Sequence, residues 1–180
     1  RMFLATGDAR YVDMAEISLY NNVLAGVNLE GNCFFYVNVL EADGKKTFNH
    51  GRAGRSPWFR TACCPSNLAR LIPQVSGMVY SCAGDDVFCA LYAGNSTVLD
   101  VDGEKIALKQ VTGYPYDGNV SIEVTPESGS SEFTLWLRIP TWVTDRFMPS
   151  ELYRYADCED AGYAVKVNGK RMRAALKDGY

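Results

Sequence analysis

The spacing of apolar residues changes character near residue 80, and this switch constrains the fold more than any other feature of the chain. Before it, apolar positions recur every three or four residues, as on a helix face. After it they alternate, as on strands. Asp8 to Gly26 reads as one helix, with Asp8 as N-cap and Gly26 as its close. Val12, Ala15, Leu19 and Val23 form its apolar stripe. Arg1 to Thr6 reads as the last turns of an earlier helix, stopped by Gly7. Another helix is expected from Pro65 to about Gly77, bent at Pro73. Strands are expected over residues 87–92, 97–101, 105–108, 120–124 and 133–139, separated by the turn pairs Asp85-Asp86, Asp102-Gly103 and Asp117-Gly118. Val165 to Lys170 adds a hairpin around Asn168-Gly169. Phe34 to Leu40 reads as a short extended strand, and residues 47–57 as a surface loop with the only histidine, His50. Residues 144–162 form a polar insertion. Helices followed by strands argue for two packed units rather than α/β alternation. We place the division at residues 1–80 and 81–180, the second unit being a β-sandwich.

The chain has 180 residues, 47 % of them hydrophobic and 22 % charged, with a net charge of −3. That balance, without a block of like charges, argues against nucleic acid or an anionic membrane as partner. No stretch approaches the roughly 20 apolar residues of a membrane span. The first and last residues suggest a fragment of a longer protein, cut at both ends.

Six cysteines occur, at irregular spacing in a chain too long for a disulfide-stapled miniprotein. Cys82, Cys89 and Cys158 are expected to be buried, reduced thiols. Cys63 and Cys64 differ. Adjacent cysteines rarely bond to each other, and Pro65 after them suits the first turn of a helix. Both thiols therefore fall at a helix N-terminus, where the dipole favours the thiolate, a nucleophile and metal ligand. Glu16 is the other unusual group. It falls on the apolar stripe of the first helix, where it either reaches water at the stripe's edge or is buried and paired.

Glu16 on a helix, the run Phe34-Phe35-Tyr36-Val37-Asn38, and Trp58-Phe59 followed by Ala62-Cys63-Cys64-Pro65, Asn67 and Ala69-Arg70 share an order and spacing. In these features the chain resembles glycoside hydrolase family 127, the β-L-arabinofuranosidase-like family. Gly7 to Tyr11, Leu19-Tyr20-Asn21, Leu137 to Pro140 and Trp142 fit as well, so the likeness spans nearly the whole chain. It implies a mixed α and β fold: the end of an (α/α)6 barrel that carries the active site, followed by a β-sandwich domain truncated at its end. It implies a retaining glycosidase that releases β-L-arabinofuranose from plant-type glycans, with Cys63 as nucleophile and zinc ligand and Cys64 as zinc ligand. Glu16 and Tyr36 would contact the sugar. The family's other zinc ligands, a Glu-x-Cys pair, and its acid/base glutamate lie upstream of the matching segment. Glu30-Gly31-Asn32-Cys33 is no substitute. The resemblance therefore implies that this piece alone is inactive, and it leaves a homodimer open. Free thiols favour the cytoplasm, although zinc would protect them in a periplasm.

Two other readings compete. In one, the sandwich is a carbohydrate-binding or scaffold module with structural thiols, and Trp136, Trp142, Tyr114 and Tyr116 either stack on sugars or fill the core. In the other, Cys63 and Cys64 form a redox or metal-sensing pair.

Overall fold

The computed structural model describes residues 1–144, 146–157 and 162–180. Helix α1, Met2–Thr6, stops at Gly7, whose φ of 71° lets its N–H reach back to the Phe3 carbonyl. Helix α2, Arg10–Ser18, starts at the expected cap: the Asp8 carboxylate accepts from the Arg10 N–H at 2.9 Å. The single helix expected over residues 8–26 divides, however. A π-helical turn at Leu19–Val23 and a 3-10 turn at Leu24–Gly26 follow α2. The buried face of α2 is also turned from the expected stripe. It consists of Ala9, Val12, Asp13 and Glu16, at helical spacing, while Ala15 is exposed. Two carboxylates thus lie on the buried face. Helix α3, Cys63–Gln74, contains Pro73 and passes into a 3-10 turn at Val75–Met78.

The strand expected over residues 34–40 does not form. Only single bridges occur there, from Phe34 to Val27 and to Ser56. The side chain of the fully buried Asn49 takes the place of a neighbouring strand. Its Oδ1 accepts from the backbone N–H groups of Tyr36 and Val37 at 2.8 and 3.2 Å. Its Nδ2 donates to the carbonyls of Phe34 and Gly54 at 3.3 and 2.9 Å. Two acceptances and two donations exhaust what an asparagine amide offers. Asn49→Ala is expected to cost about 2–3 kcal/mol, because the Tyr36 and Val37 N–H groups and the Gly54 carbonyl lose their partner at once, while the Phe34 carbonyl keeps the Ser56 N–H. Urea unfolding of the variant checks this, and a midpoint equal to wild type would contradict it.

Among the described residues eight strands follow: β1 Tyr80–Ala83, β2 Asp86–Cys89, β3 Asn95–Val101, β4 Glu104–Thr112, β5 Val120–Pro126, β6 Thr134–Leu137, β7 Val165–Val167 and β8 Lys170–Met172. They form sheets in the orders β1-β2-β6, β3-β4-β5 and β7-β8. All neighbours are antiparallel except β2 and β6, which run parallel with Val87 opposite Leu135. Val87 from one three-stranded sheet and Val101, Ile106 and Leu108 from the other meet in one apolar cluster, closed by Tyr80, Ile122 and Leu135 among others. The turns Asp102-Gly103 and Asn168-Gly169 have positive φ at both residues, which suits tight hairpins. Cys89 is buried as expected, and burial pushes its thiol up to about 12. Cys82 is instead exposed, at the hairpin end of edge strand β1. Cys158 lies outside the described residues.

Two compact units result: Arg1–Met14 with Gly77–Tyr180, and Ala15–Ser76. The first is pinned by Arg138, just after β6. Its fully buried guanidinium pairs with Asp13 of α2 at 2.5 Å and donates through Nε to the Ala90 carbonyl at 2.5 Å. The Tyr92 hydroxyl donates to the Arg138 carbonyl at 2.6 Å. Beside this pair, Ala9 N–H donates to the Asp178 carbonyl and Ile139 N–H to that of Gly179, both at 2.9 Å. Gly179 has φ 86°, and a Cβ there would lie 2.5 Å from that of Ala9. Only glycine fits this approach.

Candidate active site

The elements that carry the candidate site belong to the unit Ala15–Ser76. Ala62 precedes α3 with φ −97° and ψ 39°, outside the helical region, so Cys63 and Cys64 are the first two helical residues. Pro65 is third, where its missing N–H is one of the helix's unused donors. Asn67 Nδ2 donates to the Cys63 carbonyl at 2.8 Å and steadies this first turn.

Three of the four residues singled out from sequence come together. Cys63 Sγ lies 3.4 Å from the Tyr36 hydroxyl and 3.8 Å from Cys64 Sγ. The Cys64 thiol donates to the Tyr36 backbone carbonyl at 3.5 Å. Cys63 and Cys64 are both free thiols. Glu16 takes no part in those three contacts. It is nearly fully buried on α2, with 2 % of its surface exposed, which decides against its reaching water. Beside Tyr36 and Cys64 opens a cavity of about 310 Å³, lined also by Asn22, Asn38, Asn67 and Leu71.

The two thiols are not equivalent. Cys63 is held below the usual thiol range, first by hydrogen bonding with Tyr36, then by that with Cys64, and further by backbone N–H groups at the helix start. In the neutral pair the thiol donates to the phenol oxygen. Once Cys63 ionises, the phenol donates to the thiolate. The Tyr36 phenol is pushed up, first by that hydrogen bond and then by the charge on Cys63, so it stays a donor. Cys64 is pushed up by burial and by Cys63. Cys63 is therefore the thiol that ionises first. Tyr36→Phe is expected to move the pH midpoint of Cys63 alkylation upward, because it removes the largest of these stabilising contacts. Peptide mapping after iodoacetamide treatment of metal-free protein reads this. An unmoved midpoint would mean that the phenol does not set the thiol.

Sequence reasoning missed Asn49 and placed His50 merely in a loop. In the structure Asn49 fixes the Tyr36 backbone, and the His50 ring lies against that of Tyr36 with centroids 4.3 Å apart. The Asn-His-Gly run was the only local hint, since such residues gather where tight turns need positive φ. Trp136, whose place in the strand alternation favours the core over sugar stacking, stacks on Phe88 at 5.8 Å and donates through Nε1 to Asp86 at 2.8 Å. Tyr116 is fully exposed. Among the described residues, no group of three or more His, Cys, Asp or Glu side chains is placed to hold a metal ion.

A thiol at a helix start, lowered by a phenol and a second thiol, is the apparatus of a cysteine nucleophile or a thiolate ligand. Comparison with known families narrows this class. Residues 1–77 match the profile described as β-L-arabinofuranosidase, GH127 catalytic domain, and residues 86–180 match that of the GH127 middle domain. The chain belongs to glycoside hydrolase family 127. A non-reducing end β-L-arabinofuranosidase of Bifidobacterium longum subsp. longum is 32 % identical over 178 residues, covering 94 % of this chain and 24 % of that protein. Among solved structures, a GH127 β-arabinofuranosidase is 44 % identical with a TM-score of 0.91, covering 100 % of this chain and 27 % of that one. A GH127 β-L-arabinofuranosidase from Geobacillus stearothermophilus is 37 % identical with a TM-score of 0.79, covering 100 % of this chain and 26 % of that one. The chain thus spans about a quarter of the length of these relatives.

Proposed function

We propose that this chain carries the nucleophile of a retaining glycoside hydrolase that releases β-L-arabinofuranose from plant-type glycans. One observation carries the reading: in a family 127 chain, Cys63 Sγ stands at a helix start, 3.4 Å from a phenol donor and 3.8 Å from a second thiol.

The Cys63 thiolate attacks the anomeric carbon. A carbon–sulfur bond forms as the bond to the leaving oxygen breaks, and that oxygen takes a proton from an acid group of the parent enzyme. Water then attacks the same carbon, passing a proton to the group that protonated the leaving oxygen; the carbon–sulfur bond breaks, and the thiolate returns. Two inversions leave the anomeric configuration unchanged. Tyr36 donates to the sulfur while it is charged. Glu16, a carboxylate held on a buried helix face, receives sugar hydroxyls.

Zinc is implied by the resemblance to the family, and the donor pair fits it. Two thiolates on one tetrahedral zinc, with Zn–S near 2.3 Å, stand about 3.8 Å apart. The Cys63 and Cys64 sulfurs are 3.8 Å apart. Bound zinc would keep Cys63 ionised at neutral pH. Two thiolates are half of a four-ligand site, so the Glu-x-Cys ligands and the acid/base glutamate would come from the parent beyond this chain. In this reading residues 1–80 close an (α/α)6 barrel and 81–180 form a β-sandwich. The apolar cluster shared by the two three-stranded sheets supports the latter.

The test is to trap the intermediate. The full-length parent is quenched in acid during turnover of an aryl β-L-arabinofuranoside and then proteolysed. The peptide bearing Cys63 should gain one pentosyl unit. Label found only on another residue would remove Cys63 from the role. The isolated 180-residue chain is expected to show no turnover and to hold zinc weakly or not at all. Activity comparable with the parent's would overturn that.

A further inference from the structure

Residues 49–52 close on themselves. Arg52 N–H donates to the Asn49 carbonyl at 3.2 Å, and Asn49 N–H donates to that of Arg52 at 2.9 Å. The two residues between have positive φ, 51° at His50 and 82° at Gly51. That is the requirement of a type I′ turn, whose first central position is best filled by Asn, Asp or Gly. A histidine there carries a backbone cost that nothing within the turn offsets, a pattern that gathers at functional sites.

What the histidine does make is ring contact. Its imidazole meets Tyr36 edge-on, with centroids 4.3 Å apart and ring planes at 75°, and meets Phe59 at 5.8 Å and 62°. Tyr36 and Phe59 meet each other at 5.6 Å and 61°. Phe59 is buried and cannot yield; His50 is exposed and has no other ring neighbour among the described contacts. Asn49 already fixes the Tyr36 backbone, which leaves the direction of the phenol ring to be set. A swing of the ring about the Cα–Cβ bond would carry the hydroxyl away from Cys63 Sγ, 3.4 Å distant.

We propose that His50 is a positioning residue: its imidazole, packed together with Phe59 against the Tyr36 ring, holds that ring so that the phenol stays on the Cys63 sulfur. Asn49 and His50 then act as one turn that sets both the backbone and the ring of Tyr36. This rests on the reading of Cys63 as nucleophile.

The experiment uses the full-length zinc enzyme. His50→Asn installs a residue that the turn prefers and deletes only the ring, so the melting temperature should hold or rise. kcat should fall about tenfold with KM within about twofold, since the loss is one of geometry at the reacting atoms. The decisive arm is the double variant His50→Asn with Tyr36→Phe. If His50 acts through the Tyr36 hydroxyl, its substitution costs nothing further once that hydroxyl is gone. Additive losses would overturn the proposal, because His50 would then act on the sugar or the fold by itself. So would a wild-type kcat for His50→Asn, or a lowered melting temperature that accounts for the loss. Cys63→Ser separates the two ideas. If that variant turns over normally, the reading of the nucleophile fails; if it is dead while the His50 cycle is additive, only the positioning role fails.

Discussion

Replacing Cys63 by serine in the full-length enzyme is expected to lower kcat by at least about ten-thousandfold, the scale on which removal of a nucleophile acts in other enzymes. The reason lies in what serine cannot do at this position. The contacts that favour charge on Cys63 are a phenol hydrogen bond, a second thiol and the N–H groups of a helix start. They lower a thiol below its usual range but leave a hydroxyl, with its far higher pKa, almost wholly protonated. On the proposed reading, in which Glu16 and Tyr36 contact the sugar, substrate affinity should change little. Steady-state kinetics with an aryl arabinofuranoside separates the two effects. Turnover within about tenfold of wild type would remove Cys63 from the chemistry.

Arg138→Met is expected to destabilise the fold by about 3–5 kcal/mol. Arg138 is fully buried and pairs with Asp13, of which 2 % is exposed. Methionine fills much of the space but withdraws the guanidinium from the buried Asp13 carboxylate. The Ala90 carbonyl loses a donor in the same change. A second substitution, Asp13→Leu, should recover part of the loss, since removing both charges avoids the cost of burying one alone. Denaturant titration of the two single variants and the double variant gives the coupling. A single Arg138→Met variant within about 1 kcal/mol of wild type would mean that the pair contributes nothing of consequence.

What could be read from sequence was what neighbours in sequence decide. Asp8 as a cap, Gly7 as a stop, Asn168-Gly169 as a hairpin turn and Cys63-Cys64 at a helix start all depend on a few adjacent residues. The Phe34 to Leu40 run has the composition of a strand, but no partner strand stands beside it; an asparagine 13 residues from Tyr36 supplies the hydrogen bonds instead. Periodicity shows which residues prefer an extended backbone, not what will pair with it. The buried face of α2 was misjudged for the same reason. Glu16 falls on the stripe read from sequence, but Asp13 looks like part of a solvated face until Arg138, 125 residues away, is known to meet it. The parallel pairing of β2 with β6 is equally beyond local pattern. At the site, the cysteines were legible and the turn that aims Tyr36 was not, because its effect passes through ring contacts between residues 14 apart in number.

The Arg138–Asp13 pair also orders events during synthesis. A ribosome adding about 5–20 residues per second needs roughly 6–25 s to travel the 125 positions from Asp13 to Arg138. Through that interval Asp13 lacks the guanidinium that it pairs with in the folded chain. The intervening stretch Ala15–Ser76 can gather its own contacts meanwhile, while Arg1–Met14 must wait for the strands made later. Asp13 of the waiting segment is then held by Arg138, and Ala9, last of all, by the backbone of Asp178. A protease pulse applied to stalled nascent chains should therefore cut near Asp13 until residues up to about 180 have emerged.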